Sequence, residues 1–298
     1  MKVLSIRQPW ATLIVEGYKC FEFRSWKTNF RGKFLIHASK EVETENMNRF
    51  HPLNLEYPTG RIIGSAEITD CIKVEKKLED ELIKENELIY GVVRNRGGYA
   101  FKLENIQKFK IPISAIGSLG FWDYYDEFEI MQKMEDIRYG WIDKDGEIHD
   151  GVNTNLNENY RLQSPKEVIK SGFGVCWDQV ELERFYFNGH DIKTYFLAYY
   201  DNKNCPTHTF LTFEKQGKYY WFEHSYEKYR GIHEYNSKKE LLLDVRSKFI
   251  VDELEKINTK FDKYQLVLRE YKKPKSHITI EEFYKHCEKN MYIDLDNL

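Results

Sequence analysis

Several features that define other classes of protein are missing from this 298-residue sequence. Pro is scarce, at 7 residues, and no segment is of low complexity, so long disordered linkers are not expected. No apolar run approaches the roughly 20 residues that a membrane-spanning helix needs. The opening residues, MKVLSIRQPW, lack the apolar stretch of a signal peptide. We therefore expect a cytoplasmic protein with no membrane partner.

The cysteines also lack any pattern that would make them structural. There are 5 of them, an odd number, and neither a CxxC spacing nor a Cys/His cluster is present. This argues against a disulfide framework and against a zinc site, and it favours a reducing compartment. The sequence therefore predicts no metal and no cofactor.

At 298 residues the chain can hold two domains of ordinary size or one large one. Hydrophobic residues make up 41% of the chain, and aromatic residues, at 15%, favour half-buried strands. Residues 1–122 carry 19 Lys and Arg against 15 Asp and Glu, a net charge of +4, whereas the remainder is at −7. The first part is thus the better match for a phosphate backbone, although ordinary scatter of surface charge explains the difference equally well.

The hydrophobic pattern changes character near residues 121–125. Before that point, segments 2–6, 20–24, 34–37, 61–69 and 99–103 are strand-like, and one early helix is predicted after Pro9, with Gly17 at its end. Several short strands with one helix favour a small barrel. Helical and strand-like segments alternate afterwards. We predict an α+β chain with domains at residues 1–122 and 123–298.

The first domain resembles a known family. The run LSIRQPWATLIVEGYKCFEFRSWKTNFRGKFLIHAS, followed by RIIGSAEITDC and YAFKLENIQKFKIPISAIGSLGFW, is similar to the ASCH domain, a PUA-like β-barrel. The resemblance implies a ligand cleft beside the helix and the Gly-x-Lys-x-x-Glu-x-Arg turn, here Gly17, Lys19, Glu22 and Arg24. It also implies single-stranded nucleic acid or a nucleotide as the partner.

Side-chain chemistry agrees with this implication in part. Lys19, Arg24 and Arg31 are suited to pair with phosphates, and Trp10 or Trp26 offers a face on which a base can stack. The alternative is that both Trp side chains belong to the core and that the basic groups are merely solvated. The presence of residues suited to phosphate and stacking contacts does not by itself decide between these interpretations.

An enzymatic role for the first domain meets one difficulty. Some ASCH relatives hydrolyse an acetylated cytidine with a Lys, a Thr three residues later and a distant Glu. Lys19 matches this pattern, but Glu22 stands at the Thr position. Because no hydroxyl nucleophile is available there, a modified-nucleobase hydrolase remains only an alternative.

The second domain has its own candidate nucleophile. Cys176 follows a glycine-bearing turn, Gly174-Val175, and begins a predicted helix. Free N–H groups and the helix dipole at such a position favour the thiolate, which is the attacking species. The alternative is a small buried hydrophobic residue, which is the usual fate of a free cysteine.

A predicted hairpin downstream supplies a base and an acid. If Gln216-Gly217 is a two-residue turn flanked by Lys215 and Lys218, His208 and Glu223 project from the same face as diagonal neighbours. Such a carboxylate can hold the imidazole that deprotonates the thiol. A one-residue slip in the register of this hairpin would place His224, instead of Glu223, on the same face as His208. The alternatives are a core histidine and a hairpin surface charge.

The order of these three residues resembles the transglutaminase-like superfamily of papain-like thiol enzymes. GVCWDQ is similar to its nucleophile motif, PTHTFL to its histidine strand and YYWFEHS to its acid strand. The resemblance implies Cys176 as nucleophile, His208 as general base and acid, and Glu223, where the family commonly has Asp, as the residue that orients His208.

We therefore expect a cysteine-dependent amide hydrolase or acyl transferase, in the manner of a peptidase, that acts on a protein or peptide. One rival function is a non-enzymatic RNA-binding protein whose second domain is a degenerate papain-like scaffold. The other is a nucleobase hydrolase acting in the barrel.

Overall fold

The computed structural model describes residues 1–91, 97–143, 145–150, 156–199, 206–254 and 266–294. The chain divides into two compact units, Met1–Tyr124 and Tyr125–Leu298. No helix within the described ranges is long and apolar enough to cross a membrane.

The first unit contains the strands and the early helix that the sequence predicts. Gly17 ends that helix with a φ of +80°, and its N–H is bonded to the carbonyl oxygen of Ile14. The elements, in chain order, are β1 (Lys2–Gln8), α1 (Trp10–Val15), β2 (Phe21–Arg24), β3 (Gly32–Val42), α2 (Thr44–Phe50), β4 (Arg61–Lys73), α3 (Lys76–Glu85), α4 (Glu87–Tyr90), β5 (Tyr99–Ser114) and β6 (Phe121–Asp123).

The strands of this unit form one mixed sheet. Over the described residues the hydrogen-bonded order is β2-β5-β4-β3-β1-β6, with β1 parallel to β3. Helix α1 packs on the sheet through apolar side chains such as Ala11 and Ile14, which share a core with Phe34, Ile36 and Phe101. This packing places the turn after α1 against the start of β2.

The second unit mixes helices and strands, which confirms the α+β class. One of its helices begins at Pro165, after Ser164, and ends at Gly172. The elements are α5 (Glu127–Met134), β7 (Arg138–Ile142), β8 (Ile148–Asp150), α6 (Leu156–Asn159), α7 (Pro165–Ser171), β9 (Phe173–Gly174), α8 (Cys176–Tyr186), β10 (Ile192–Tyr199), β11 (His208–Lys215), β12 (Lys218–Glu223), β13 (Gly231–Tyr235), α9 (Lys238–Phe249), β14 (Leu266–Tyr271), α10 (Ile280–Glu288) and β15 (Met291–Ile293).

A central sheet organises this unit. Its described strands run in the order β13-β12-β11-β10-β14-β15, with every pair antiparallel. One face packs on α9 through Trp221 and Phe210, and the other packs on α8 through Leu211 and Phe222. The papain-like assignment of this unit stays a prediction.

The predicted hairpin is present in the predicted register. Gln216 and Gly217 have φ values of +54° and +75°, which suit a two-residue hairpin turn. Lys215 pairs with Lys218, and the pairing continues to Leu211 with Phe222. Helix α9 continues as a π-helical turn, Ile250–Leu254.

Candidate functional sites

The turn before Cys176 is fixed by a buried carboxyl group. Asp178, in the first turn of α8, accepts hydrogen bonds from the N–H groups of Val175 and Gln163, at 3.0 and 2.8 Å, and from the Tyr160 hydroxyl at 2.8 Å. Burial raises the pKa of Asp178 to about 7, against the effect of these donors. Cys176 is thereby held as the first residue of α8, with 5% of its surface exposed.

His208 and Glu223 meet as the hairpin register requires. The Nε2 atom of His208 lies 2.8 Å from Oε2 of Glu223, and both side chains are buried. His208 is the first residue of β11, so its ring lies at the end of the sheet. The sequence interpretation of Glu223 as a surface charge therefore does not describe this side chain, which is 2% exposed.

Glu223 is surrounded by donors. Besides His208, its carboxylate accepts from the Trp221 indole at 3.2 Å, the Ser225 hydroxyl at 2.9 Å and the Tyr226 N–H at 2.7 Å. Burial opposes the charge, but His208 and the donors hold the pKa of Glu223 below its ordinary value. An ionised carboxylate at hydrogen-bond distance from an imidazole favours the protonated form of that ring.

The His208 ring also interacts with Cys176. Because Nε2 is engaged by Glu223, Nδ1 is the nitrogen left for the thiol. Burial disfavours a charged ring, yet the charge of Glu223 and hydrogen bonding with Cys176 and Glu223 raise the pKa of His208 to about 10. The Cys176 sulfur also lies 3.9 Å from the carbonyl oxygen of Thr207. The three predicted residues are thus brought together in the order thiol, imidazole, carboxylate.

Tyr139 is a neighbour of the thiol that the sequence did not single out. It lies on β7, paired with Gly174 on β9, and its side chain interacts with Cys176. The residue as a whole is 37% exposed, whereas the surroundings of its hydroxyl raise the pKa of that group well above the ordinary value, chiefly through burial. The hydroxyl therefore stays protonated and can donate a hydrogen bond.

The first unit contains a separate cleft of about 1030 Å³. Its floor is a buried ion network: the Lys19 amine contacts Glu22 at 2.7 Å, and Arg24 contacts the other oxygen of the same carboxylate at 3.1 Å. Burial lowers the pKa of Lys19, while Glu22 opposes that effect. The rings of Trp10 and Phe23 flank the Lys19 amine, with centroids at 5.7 and 5.3 Å.

This cleft coincides with a match to a known family. Residues 4–113 match the model of the ASCH domain. Two curated relatives, both "Activating signal cointegrator 1", from Homo sapiens and from Mus musculus, are each 33% identical over a 90-residue alignment. The match covers 26% of this chain and 15% of the relative. The chain therefore spans about 15% of the length of these relatives. Residues 4–113 are an ASCH domain.

Solved structures of ASCH from Zymomonas mobilis are also similar to this chain. The unmodified protein is 18% identical, with a TM-score of 0.27, and the match covers 38% of this chain and 72% of that one. A mutant of that protein, in which one tyrosine is replaced by phenylalanine, is 20% identical, with a TM-score of 0.25 and coverages of 38% and 74%. Scores this low do not establish a shared fold, so the assignment rests on the sequence match.

Not every residue predicted for the ASCH domain lies in its cleft. Lys19, Glu22 and Arg24 do. Trp26 instead packs edge-on against core rings, with centroids 5.2 Å from that of Phe101 and 5.7 Å from that of Phe121, and it is Trp10 that lines the cleft.

The second predicted residue outside the cleft is Arg31. Its guanidinium pairs with Asp70 at 3.1 Å and with backbone carbonyls of its own turn. A further wall of the cleft, residues 116–120, comes from the loop after β5, which no local sequence pattern connects to the early motif.

One group of possible metal ligands is present among the described residues. Ligand atoms of Asp143, Glu147 and His149 lie within 4.8 Å of one another, on the β7–β8 hairpin. Asp143 already accepts from the N–H groups of Asp145 and Glu147, and His149 lies 2.9 Å from it. Hydrogen bonding within the hairpin explains this arrangement.

Proposed function

We propose that the C-terminal unit is a transglutaminase-like thiol enzyme that cleaves or transfers an acyl group from an amide. The observation that carries the proposal is the 2.8 Å contact between His208 Nε2 and Glu223 Oε2, on a ring that also interacts with Cys176 at a helix start. A carboxylate on one ring nitrogen and a thiol by the other is the arrangement that activates a sulfur nucleophile. At neutral pH, a His208 pKa of about 10 favours the imidazolium partner of a thiolate.

The reaction then follows from these groups. The Cys176 sulfur attacks the amide carbonyl carbon, the C–N bond breaks, and the leaving amine takes a proton from His208. His208 next takes a proton from water or from an acceptor amine, whose oxygen or nitrogen attacks the thioester carbon. The C–S bond breaks, and the thiolate and imidazolium are restored.

The developing oxyanion needs donors as well. The Cys176 N–H stands at the first position of α8, where an N–H group has no intrahelical acceptor. The Tyr139 hydroxyl, protonated and beside the thiol, is the second donor that we propose.

An assay with two readouts tests this function. Release of aniline from peptide anilides reports hydrolysis, and incorporation of a fluorescent primary amine into a glutamine-bearing protein reports transfer. Activity that disappears in Cys176→Ala and His208→Ala supports the proposal. Iodoacetamide labelling of Cys176 that is indifferent to His208→Ala would contradict thiol activation, whatever the substrate.

We further propose that the ASCH domain binds single-stranded nucleic acid or a nucleotide in its cleft. The lining supports this because it includes Arg7, Arg24 and Lys40, which are suited to phosphate contacts, together with Trp10, which is suited to stacking. Binding of labelled oligonucleotides and mononucleotides to the full chain at increasing salt tests it. No binding at low salt would rule it out.

A further inference from the structure

The residue next to Glu223 has a buried contact of its own. Successive side chains of a strand point to opposite faces. Trp221 and Glu223 lie on the α9 face, whereas Phe222 packs on α8, with its ring 5.0 Å from that of Phe187. His224 follows on the α8 side and is fully buried.

On that side His224 meets Gln179, which lies one turn into α8. The Nδ1 atom of His224 is 2.7 Å from Oε1 of Gln179, and the Gln179 amide donates to the carbonyl oxygen of Gly174 at 2.7 Å. Gln179 is 1% exposed. These two bonds connect the end of β12 to the turn that precedes Cys176.

The direction of each bond is fixed by chemistry. The Gly174 carbonyl can only accept, so the Gln179 nitrogen must face it and the Gln179 oxygen must face His224. His224 therefore donates from Nδ1. Burial and the nearby charge of Arg230 lower the pKa of His224 to about 4, so the ring is neutral at physiological pH.

The turn that Gln179 holds has little room for adjustment. A Cβ added at Gly174 would lie 2.9 Å from Cβ of Asp178 and 3.3 Å from Cγ of Gln179. Asp178 fixes the N–H side of this turn, through Val175, and Gln179 fixes its carbonyl side. A displacement here moves the first residue of α8 directly.

We propose that His224 is a positioning residue for Cys176: its bond to Gln179 holds the Gly174 carbonyl and so sets the thiol against His208. This inference rests on the proposed thiol chemistry. Glu223 would then orient the base while His224 orients the nucleophile, from adjacent positions on one strand.

The test compares the pH profile of Cys176 alkylation by iodoacetamide in the full chain. His224→Leu removes the donor, and His224→Gln keeps one. We expect His224→Leu to slow alkylation at neutral pH by about 10-fold and to move the profile to higher pH, because small misplacements of reacting groups have effects of this size or larger. His224→Gln should restore much of the wild-type profile.

His190→Leu is the matched control. His190 is also a hydrogen-bonded histidine of this unit, with Nε2 2.8 Å from the carbonyl oxygen of Tyr125, but it follows the far end of α8. The His190→Leu substitution should lower the stability of the fold without moving the pH profile of Cys176 alkylation. A His224→Leu profile that matches that of His190→Leu would overturn the inference.

Two further variants keep the outcome decisive. His208→Ala must move the profile. If it does not, the proposed function fails and not only the role of His224. If His208→Ala moves the profile and a folded His224→Leu does not, the positioning role alone is wrong. Should His224→Leu not fold, Gln179→Leu takes its place: a shifted profile in that variant supports the positioning role, and a wild-type profile in a folded Gln179→Leu overturns it.

Discussion

The substitution Glu223→Gln examines the proposed site most directly, because it keeps the size of the side chain and removes its charge. Two opposite unit charges whose centres lie about 4 Å apart attract each other by about 4 kcal/mol at an effective dielectric constant of ~20. Without that contribution the pKa of His208, now about 10, should fall toward its ordinary range. The imidazolium would then no longer support a thiolate at neutral pH.

The measurable result is the alkylation of Cys176. We expect Glu223→Gln to slow the reaction with iodoacetamide at neutral pH by at least about 10-fold and to move its pH profile upward. Glu234→Gln is the matched control, since it removes one carboxylate charge from the neighbouring strand β13, where the side chain is exposed. It should leave the profile unchanged.

The same substitution has an expected effect on stability. One Glu223 oxygen accepts from His208 and Trp221, and the other accepts from Ser225 and Tyr226. A Gln side chain has one oxygen, so in either orientation its NH₂ group faces the indole or the backbone donor. An unmade buried bond costs about 1–3 kcal/mol, which denaturant unfolding can measure. An unchanged alkylation profile in a folded Glu223→Gln would remove Glu223 from the site and leave Cys176 and His208 standing.

Four further outcomes are expected. Limiting iodoacetamide should label Cys176 before the other thiols, as peptide mapping will show; these are Cys20, Cys71 and Cys287, together with Cys205, which lies outside the described residues. Arg24→Gln should weaken oligonucleotide binding and reduce its salt dependence, whereas Lys110→Gln, which removes the same charge from an exposed position outside the cleft, should not. Tyr139→Phe should slow acylation by a p-nitrophenyl ester by about 100-fold, the effect of losing one oxyanion donor. Because the folded-state pKa of His208 is raised, its stabilisation is full below about pH 6.5 and is lost as the pH rises to about 10; the difference in unfolding free energy between wild type and His208→Gln should shrink over that window.

The hairpin was predictable because its geometry is local. A two-residue turn with glycine at its second position fixes the register, and the period of two then fixes which side chains share a face. His208 and Glu223 could therefore be placed together without knowledge of the rest of the chain. The helix start at Cys176 is equally local, since the Asp178 carboxylate in its first turn accepts from the Val175 N–H just before it.

The remaining parts of both sites depend on contacts distant in sequence. Tyr139 is brought to Cys176 by the parallel pairing of β7 with β9, and no sequence motif predicts that pairing. The choice of Trp10 over Trp26 for the cleft depends on packing, because Trp26 finds aromatic partners on β5 and β6. The short strand β13 was not predicted, since a stretch such as Gly231–Tyr235 alternates too briefly to be recognised.

The adjacency of Glu223 and His224 makes the register of the hairpin a condition for the proposed chemistry. A slip of one residue would exchange their faces, so the acid would leave His208 and the imidazole would leave Gln179 in the same event. Burial makes that exchange costly, because Glu223 would lose its partner His208 on β11 while its charge remained enclosed. The turn at Gln216 and Gly217 is remote from the thiol, yet it sets this register. In the observed register Glu223 contacts His208 and His224 contacts Gln179, whereas in the slipped register neither contact forms.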